Sequence, residues 1–290
     1  MLLLQVLTSG ISQGCVYGLI ALGFILIYKA TEIFNFAHGE LMMIGAFLAL
    51  GGMRLGLPFP VAVLLVVPSM LVIGWVLHHT VIRHVTGQPV FSVVMLTFAI
   101  SYVIRGLATM VPGMGTQTHS LEAPYKGALL EVGGLVIAAE QVVVVAGTFV
   151  LCALLYVLFR FTRLGIAMQA SSENRLAAYF MGIHVDRLNG IVWGLAAMLA
   201  GISGILLAPM TFVHADMGHI ALKAFTAAIV GGFSSLPGAI VGGLVIGLSE
   251  SLSGLLLPEG VKDVAPYIVV LIMLMVKPSG LFGSSVRKRV

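Results

Sequence analysis

Residues 141–159 read QVVVVAGTFVLCALLYVLF, without one charged side chain. A helix of that length rises about 28 Å, close to the roughly 30 Å hydrocarbon core of a bilayer. A strand of a transmembrane barrel needs only about ten residues and alternates apolar with polar positions. This run is too long and too continuous for a strand, so it predicts a membrane-crossing helix. Similar runs occupy 5–28, 33–53, 58–79, 90–111, 188–208, 218–233, 237–257 and 264–277. The 218–233 run contains Lys223 and the last run is short, so one of them is a candidate re-entrant segment. The expectation is an all-α, polytopic integral membrane protein with 8–9 transmembrane helices, forming a single transmembrane domain over 1–290.

Composition agrees with that fold class. Of 290 residues, 59% are hydrophobic and 9% are charged. Soluble domains carry about 25% charged residues, and no soluble core could hide this much apolar surface. The 35 glycines suit helices that pack closely within a membrane. Gly10, Gly14 and Gly18 recur every four residues, as do Gly190 with Gly194, Gly238 with Gly242, and Gly243 with Gly247. Each set puts small residues on one helix face, for packing within the chain or against another subunit. Cys15 and Cys152 lie in separate apolar runs and read as small buried hydrophobes rather than a disulfide. The N-terminal MLLLQVLTSGISQG lacks a basic region and a short core before a cleavage site, so it reads as a retained first span.

Basic residues set the orientation. Lys29, Arg83, Arg160, Arg163, Arg175, Arg187, Lys277, Arg287, Lys288 and Arg289 fall on one side; Arg54, Lys126 and Lys262 fall on the other. Positive charge collects in the cytoplasm, which predicts the N-terminus outside and the C-terminus cytoplasmic. The net charge of +4 is therefore a topology signal. No nucleic-acid patch is evident. Two hydrophilic segments stand apart: 112–140, a Gly/Pro-rich outer loop or hairpin, and 160–187, the one long cytoplasmic loop.

The cytoplasmic loop contains the sharpest pattern. Ser171 and Ser172 are candidate helix caps, and Glu173 then sits at the positive helix end. The segment ENRLAAYFM should end at Gly182, where a left-handed cap residue is expected. Leu176, Ala177, Phe180 and Met181 share a stripe. A short amphipathic helix with no core of its own to bury it can dock into a groove on another protein. The alternative is a helix lying flat in the headgroups.

Glu173 followed by Ala177-Ala178 and Gly182 resembles the E-A-A…G loop of ABC-importer permeases, with the glutamate four residues before the first alanine instead of beside it. AAYFMGIHVDRL is similar to the corresponding loop of branched-chain amino acid permeases. NFAHGELMMIGAF, GGFSSLPGAIVGGLVIGLSES and KPSGLFG also resemble that family, in order, over almost the whole chain. The resemblance implies a permease subunit in a bacterial cytoplasmic (inner) membrane. It implies that Glu173, Leu176, Ala177, Ala178, Phe180, Met181 and Gly182 form a coupling helix for ATPase subunits. The implied partners are two ABC ATPases, a second homologous permease, an external substrate-binding protein and the lipid bilayer. No lysine follows a glycine, so the phosphate-binding loop Gly-Lys-Ser/Thr is missing from this sequence. ATP and Mg are expected on the partner subunits, with no cofactor and no catalytic residue here.

Ionisable groups within the spans are costly and mark candidate functional sites. NFAHGE puts Asn35, His38, Gly39 and Glu40 in the first third of the second run, a candidate translocation pathway. On a straight helix His38 and Glu40 are about 160° apart, so they share a pathway only if the helix breaks, most plausibly at Gly39. Otherwise Asn35 caps the helix while His38 and Glu40 bond neighbouring spans. Arg105 and Glu250 each lie about 20 Å from the inner boundary, matched in depth for an ion pair. His214, Asp216 and His219 lack a further carboxylate or Cys, and Asp216 reads as a helix cap rather than a metal ligand. The alternatives are the same transporter class carrying urea, amides or other amino acids, and a stand-alone secondary transporter with Glu40 or Glu250 carrying a proton.

Overall fold

The computed structural model describes residues 2–112, 115–132, 135–258 and 261–283. In chain order these form α1 (Leu2–Thr31), α2 (His38–Arg54), α3 (Phe59–Leu77), a π-helical turn (His78–Ile82), α4 (Arg83–Val85) and α5 (Val90–Met110). Strands β1 (Leu129–Val132) and β2 (Leu135–Ala138) follow. Then come α6 (Ala139–Phe161), α7 (Arg163–Glu173), α8 (Arg175–Phe180) and α9 (Val185–Thr211). A 3-10 turn (Ala215–His219), α10 (Ile220–Gly231), α11 (Leu236–Leu256) and α12 (Val261–Val276) complete the chain. Among the described residues, six helices are long and apolar enough to cross a membrane: Leu2–Thr31, Phe59–Val85, Val90–Met110, Ala139–Phe161, Val185–Thr211 and Leu236–Leu256. The protein is thus an all-α membrane protein with several spans. Helices α2, α10 and α12 have 17, 12 and 16 residues. The second apolar run, expected to be helical from 33, becomes helical only at His38. The physical reason is upstream: Glu32 takes a left-handed conformation (φ 58°) that ends α1, and the chain needs 33–37 to turn.

The chain divides into two compact units, each built from separated segments. One draws on Met1–Ile25, Tyr125–Val145 and His219–Val290. Its centre is α11, which packs through two glycine faces. Gly243 and Gly247 meet the backbone of α1 at Gly14 and Gly18; Gly238 and Gly242 meet α10 at Gly231 and Ala227. The four-residue pairs seen in the sequence are these two faces. Small residues suit this role because helices in lipid associate through close packing rather than a hydrophobic drive. The 112–140 segment contributes an antiparallel hairpin with Leu129 opposite Ala138 and Glu131 opposite Val136.

The other unit draws on Leu26–Pro124 and Ala146–Gly218, and α9 is its centre. Trp193 and most of α9 are buried. Gly194 fits against the Leu71 carbonyl of α3, Gly204 against Met42 of α2, and Gly45 of α2 against Gly201. A Cβ at Gly45 would run into the Gly201 backbone, which cannot rotate away as a side chain would. Gly45→Val is expected to destabilise the protein by about 3 kcal/mol, the upper end of overpacking costs. Gly106→Ala, which meets open space within α5, should not lower the thermal unfolding midpoint in detergent. Equal midpoints for both variants would refute this account of the α2–α9 contact.

Candidate functional site

Two features of the second unit and one of the first carry the functional groups. The first is helix α8. Thr162 caps α7 by accepting from the Gly165 N–H at 3.1 Å. That helix runs through Ser171 and Ser172 to Glu173, so neither serine caps α8 and Glu173 does not open it. Asn174 takes both terminal roles. Its N–H donates to Ala170 O at 3.1 Å, closing α7, and its side-chain oxygen accepts from Ala177 N–H at 2.9 Å, opening α8. Asparagine holds the extended backbone (φ −152°) and reaches the third amide beyond itself, as a good N-cap does. Glu173 remains one residue ahead of α8.

The C-terminus of α8 is set by Gly182, at φ +84°. Ile183 N–H donates to Ala178 O and Gly182 N–H to Tyr179 O, both at 3.0 Å. This paired closure needs a left-handed residue, which glycine supplies at least cost. Between these caps, Leu176, Tyr179, Phe180 and Met181 are 66, 67, 77 and 83% exposed. Ala177 is exposed with them, whereas Ala178 turns inward and is buried. Arg175 ties the helix to the protein body: its guanidinium donates to Ala30 O, in the last turn of α1, at 2.8 Å. Tyr179 was missing from the expected stripe. Its three-residue spacing from Leu176 is the signal that would have included it.

The second feature surrounds NFAHGE. Asn35, His38, Gly39 and Glu40 are all buried. The Asn35 side-chain oxygen accepts from Ala37 N–H at 3.1 Å and its carbonyl from His38 N–H at 3.2 Å, forming the turn into α2. Gly39 lies in the first turn of α2 and breaks nothing. Glu40 Oε1 accepts from Arg105 Nη2 at 2.6 Å and Ser101 Oγ at 3.2 Å. Arg105 Nη1 lies 3.6 Å from Asp216 Oδ1, so Asp216 serves an ion pair as well as the 3-10 turn. Gly218 abuts the same carboxylate, and a Cβ there would stand 2.7 Å from Glu40 Oε2. Thr97 also belongs here: its hydroxyl donates to Val94 O and meets the Phe36 N–H, while Phe36 stacks on Phe98 with centroids 4.4 Å apart. Thr97, Ser101 and Arg105 recur every four residues on α5, a polar face readable in the sequence but overlooked.

The third feature corrects the expected Arg105–Glu250 pair. Arg105 is engaged by Glu40, and Glu250 accepts instead from Lys223 Nζ at 2.8 Å and from Tyr17 OH at 2.7 Å. Lys223 also donates to Asp263 Oδ1 at 2.7 Å, and Gln13 donates to the Tyr17 oxygen at 2.8 Å. Depth along a helix cannot choose among cations at similar depth, because it carries no information about which helices are neighbours. Lys223, which weakened its run as a span, is the true counter-ion.

Comparison with known proteins now places the chain. A family model described as branched-chain amino acid transport system / permease component matches residues 6–276. The high-affinity branched-chain amino acid transport system permease protein LivH of Salmonella typhimurium is 29% identical, over 97% of this chain and 95% of its own length. A probable branched-chain amino acid transport permease protein LivH of Methanocaldococcus jannaschii is 30% identical, over 93% of this chain and 89% of its own. The BraD permease protein of Pseudomonas aeruginosa is 27% identical over 97% of this chain. With most of its length matched, this chain belongs to the family of permease components of branched-chain amino acid transport systems.

Proposed function

We propose that this chain is the membrane-spanning subunit of an ATP-driven importer for branched-chain and related hydrophobic amino acids. One observation carries the coupling role: α8 and the Met181 that follows it leave four large apolar side chains exposed, between two firm caps and an arginine anchor. Such a helix keeps its shape while its apolar face waits for a groove. In this reading an ATPase subunit supplies the groove, a second ATPase and a second homologous permease complete the assembly, and an external binding protein delivers substrate. ATP and Mg stay on the ATPases. The chain crosses the bacterial inner membrane eight or nine times, with the N-terminus outside and the C-terminus in the cytoplasm. Three of the basic residues behind that orientation, Arg287, Lys288 and Arg289, lie outside the described residues. Asn35, His38 and Glu40 line or support the pathway, with Arg105 holding Glu40 in place. A pathway for an aliphatic amino acid needs apolar walls and a few polar groups to replace water at the charged ends.

The test is reconstitution in liposomes. Leucine should accumulate only when ATPases, both permeases and the binding protein are present together with ATP. Leucine uptake by the purified chain alone, driven by a pH gradient, would overturn the proposal. Uptake of urea or a short amide in place of leucine by the complete assembly would keep the transporter class and replace the substrate.

A further inference from the structure

Within the second unit, glycine brings the backbones of α3 and α9 together. Gly74 lies against the Trp193 carbonyl, and Gly194 against the Leu71 carbonyl. One turn beyond Gly74 the helix changes form. The π-helical turn His78–Ile82 begins, and His78 reaches α9 at Gly190, where a Cβ would stand 3.4 Å from His78 Nδ1. Such turns are rare, and they occur frequently at functional sites. At 100° per residue, Asn189, Gly190 and Trp193 fall within an arc of about 100° on α9. His78 therefore lies over Gly190 with Asn189 and Trp193 beside it. The His78 and Trp193 rings are tilted by 43°, with centroids 6.3 Å apart.

His78, Asn189 and Trp193 are 2, 5 and 0% exposed. Each carries a buried polar atom with no hydrogen-bond partner among the described residues: His78 Nε2, Asn189 Oδ1 and Trp193 Nε1. Buried polar groups are nearly always satisfied, so three orphans on neighbouring residues point to a shared ligand. Their chemistry selects it. An indole N–H only donates, which disfavours a cation, and an amide oxygen only accepts, which disfavours an anion. An imidazole nitrogen does either, according to its tautomer. A water, with two hydrogens and two lone pairs, accepts from Trp193, donates to Asn189 and takes either role at His78. Two hydrogen bonds of about 2.8–3.0 Å let one water span partners nearly 6 Å apart, the scale of the ring separation here. Buried waters typically make about three hydrogen bonds, the number available at this place. We propose that His78, Asn189 and Trp193 hold one ordered water, a structural ligand that joins the π-helical turn to α9 where the glycine contacts end. The site shares no residue with α8 or the Glu40 cluster, so it stands or falls apart from the proposed transport function.

Nuclear magnetic resonance of the full chain in detergent, with 15N-labelled tryptophan, tests this. The sequence has two tryptophans and so gives two indole signals. The Trp193 signal is the one lost in Trp193→Phe and kept in Trp75→Phe. In the wild type, Trp193 N–H should show a direct cross-relaxation peak to water, with the sign of a long-lived bound molecule and not of proton exchange. Asn189→Leu and His78→Phe each remove one partner, and each should abolish that peak. Gly106→Ala, which meets open space on α5, should leave it unchanged. The proposal is overturned if the wild type shows no such peak, the result expected if Trp193 is dry or bonds a side chain directly. It is also overturned if either partner variant keeps the peak, which would mean a water held by other groups.

Discussion

Ala177→Arg is expected to lower substrate-stimulated ATP hydrolysis by the assembled transporter at least tenfold, with the helices still folded. Ala177 is exposed on α8, so the new side chain starts from the protein surface and not from its core. Arginine is a good helix former, and Asn174 and Gly182 still cap the helix. The cost falls on docking. An unpaired charge carried into an apolar groove costs about 2–5 kcal/mol, and each 1.4 kcal/mol is about a tenfold loss of affinity. Phe180→Ala should act in the same direction without adding charge, since a large side chain that fills a pocket is the usual anchor of such an interface. Two measurements are needed: ATP turnover of the complex with and without loaded binding protein, and the thermal midpoint of the chain. If turnover coupled to substrate persists in both variants, α8 is not the docking element. If the midpoint falls instead, the loop is part of the fold and the coupling assignment loses its support.

Lys223→Met is expected to destabilise the protein by about 3–5 kcal/mol, the cost of leaving a buried charge without its counter-ion. Glu250 is 1% exposed and would retain only the Tyr17 hydroxyl among its described partners. The double variant Lys223→Met/Glu250→Gln removes both charges and should recover most of that loss, because a buried ion pair adds little over an uncharged pair of similar volume. Thermal unfolding of the two variants in one detergent gives the comparison. A double variant as unstable as the single would mean that Lys223 acts through Asp263 or through packing, and that the Glu250 charge is not its main partner.

Much of the candidate site was legible because it depends on local rules. The end of the inner-loop helix at Gly182 follows from one left-handed position, and the exposed stripe follows from helical spacing. The start of that helix was misplaced for an equally local reason. Ser171, Ser172 and Asn174 are all competent caps, and the upstream helix from Thr162 consumed the serines before the chain could use them. The proposed break at Gly39 met a similar fate. Asn35 had already made the turn, so α2 could begin unbroken at His38.

The sequence by itself determined that this is a helical membrane protein of the branched-chain permease family, since apolar length and ordered motifs are properties of a chain read in one dimension. It also determined which helix faces are small enough for close packing. Only the tertiary structure decided the ion pairs. Glu40 took Arg105 from α5 and Glu250 took Lys223 from α10, choices made by which helices packing brings side by side, through glycine contacts in the case of α10 and α11. Charge sets a strong need for a partner inside a membrane, but the need is satisfied by any opposite charge at similar depth. Packing geometry, summed over many small contacts far apart in sequence, selects the one that is in reach.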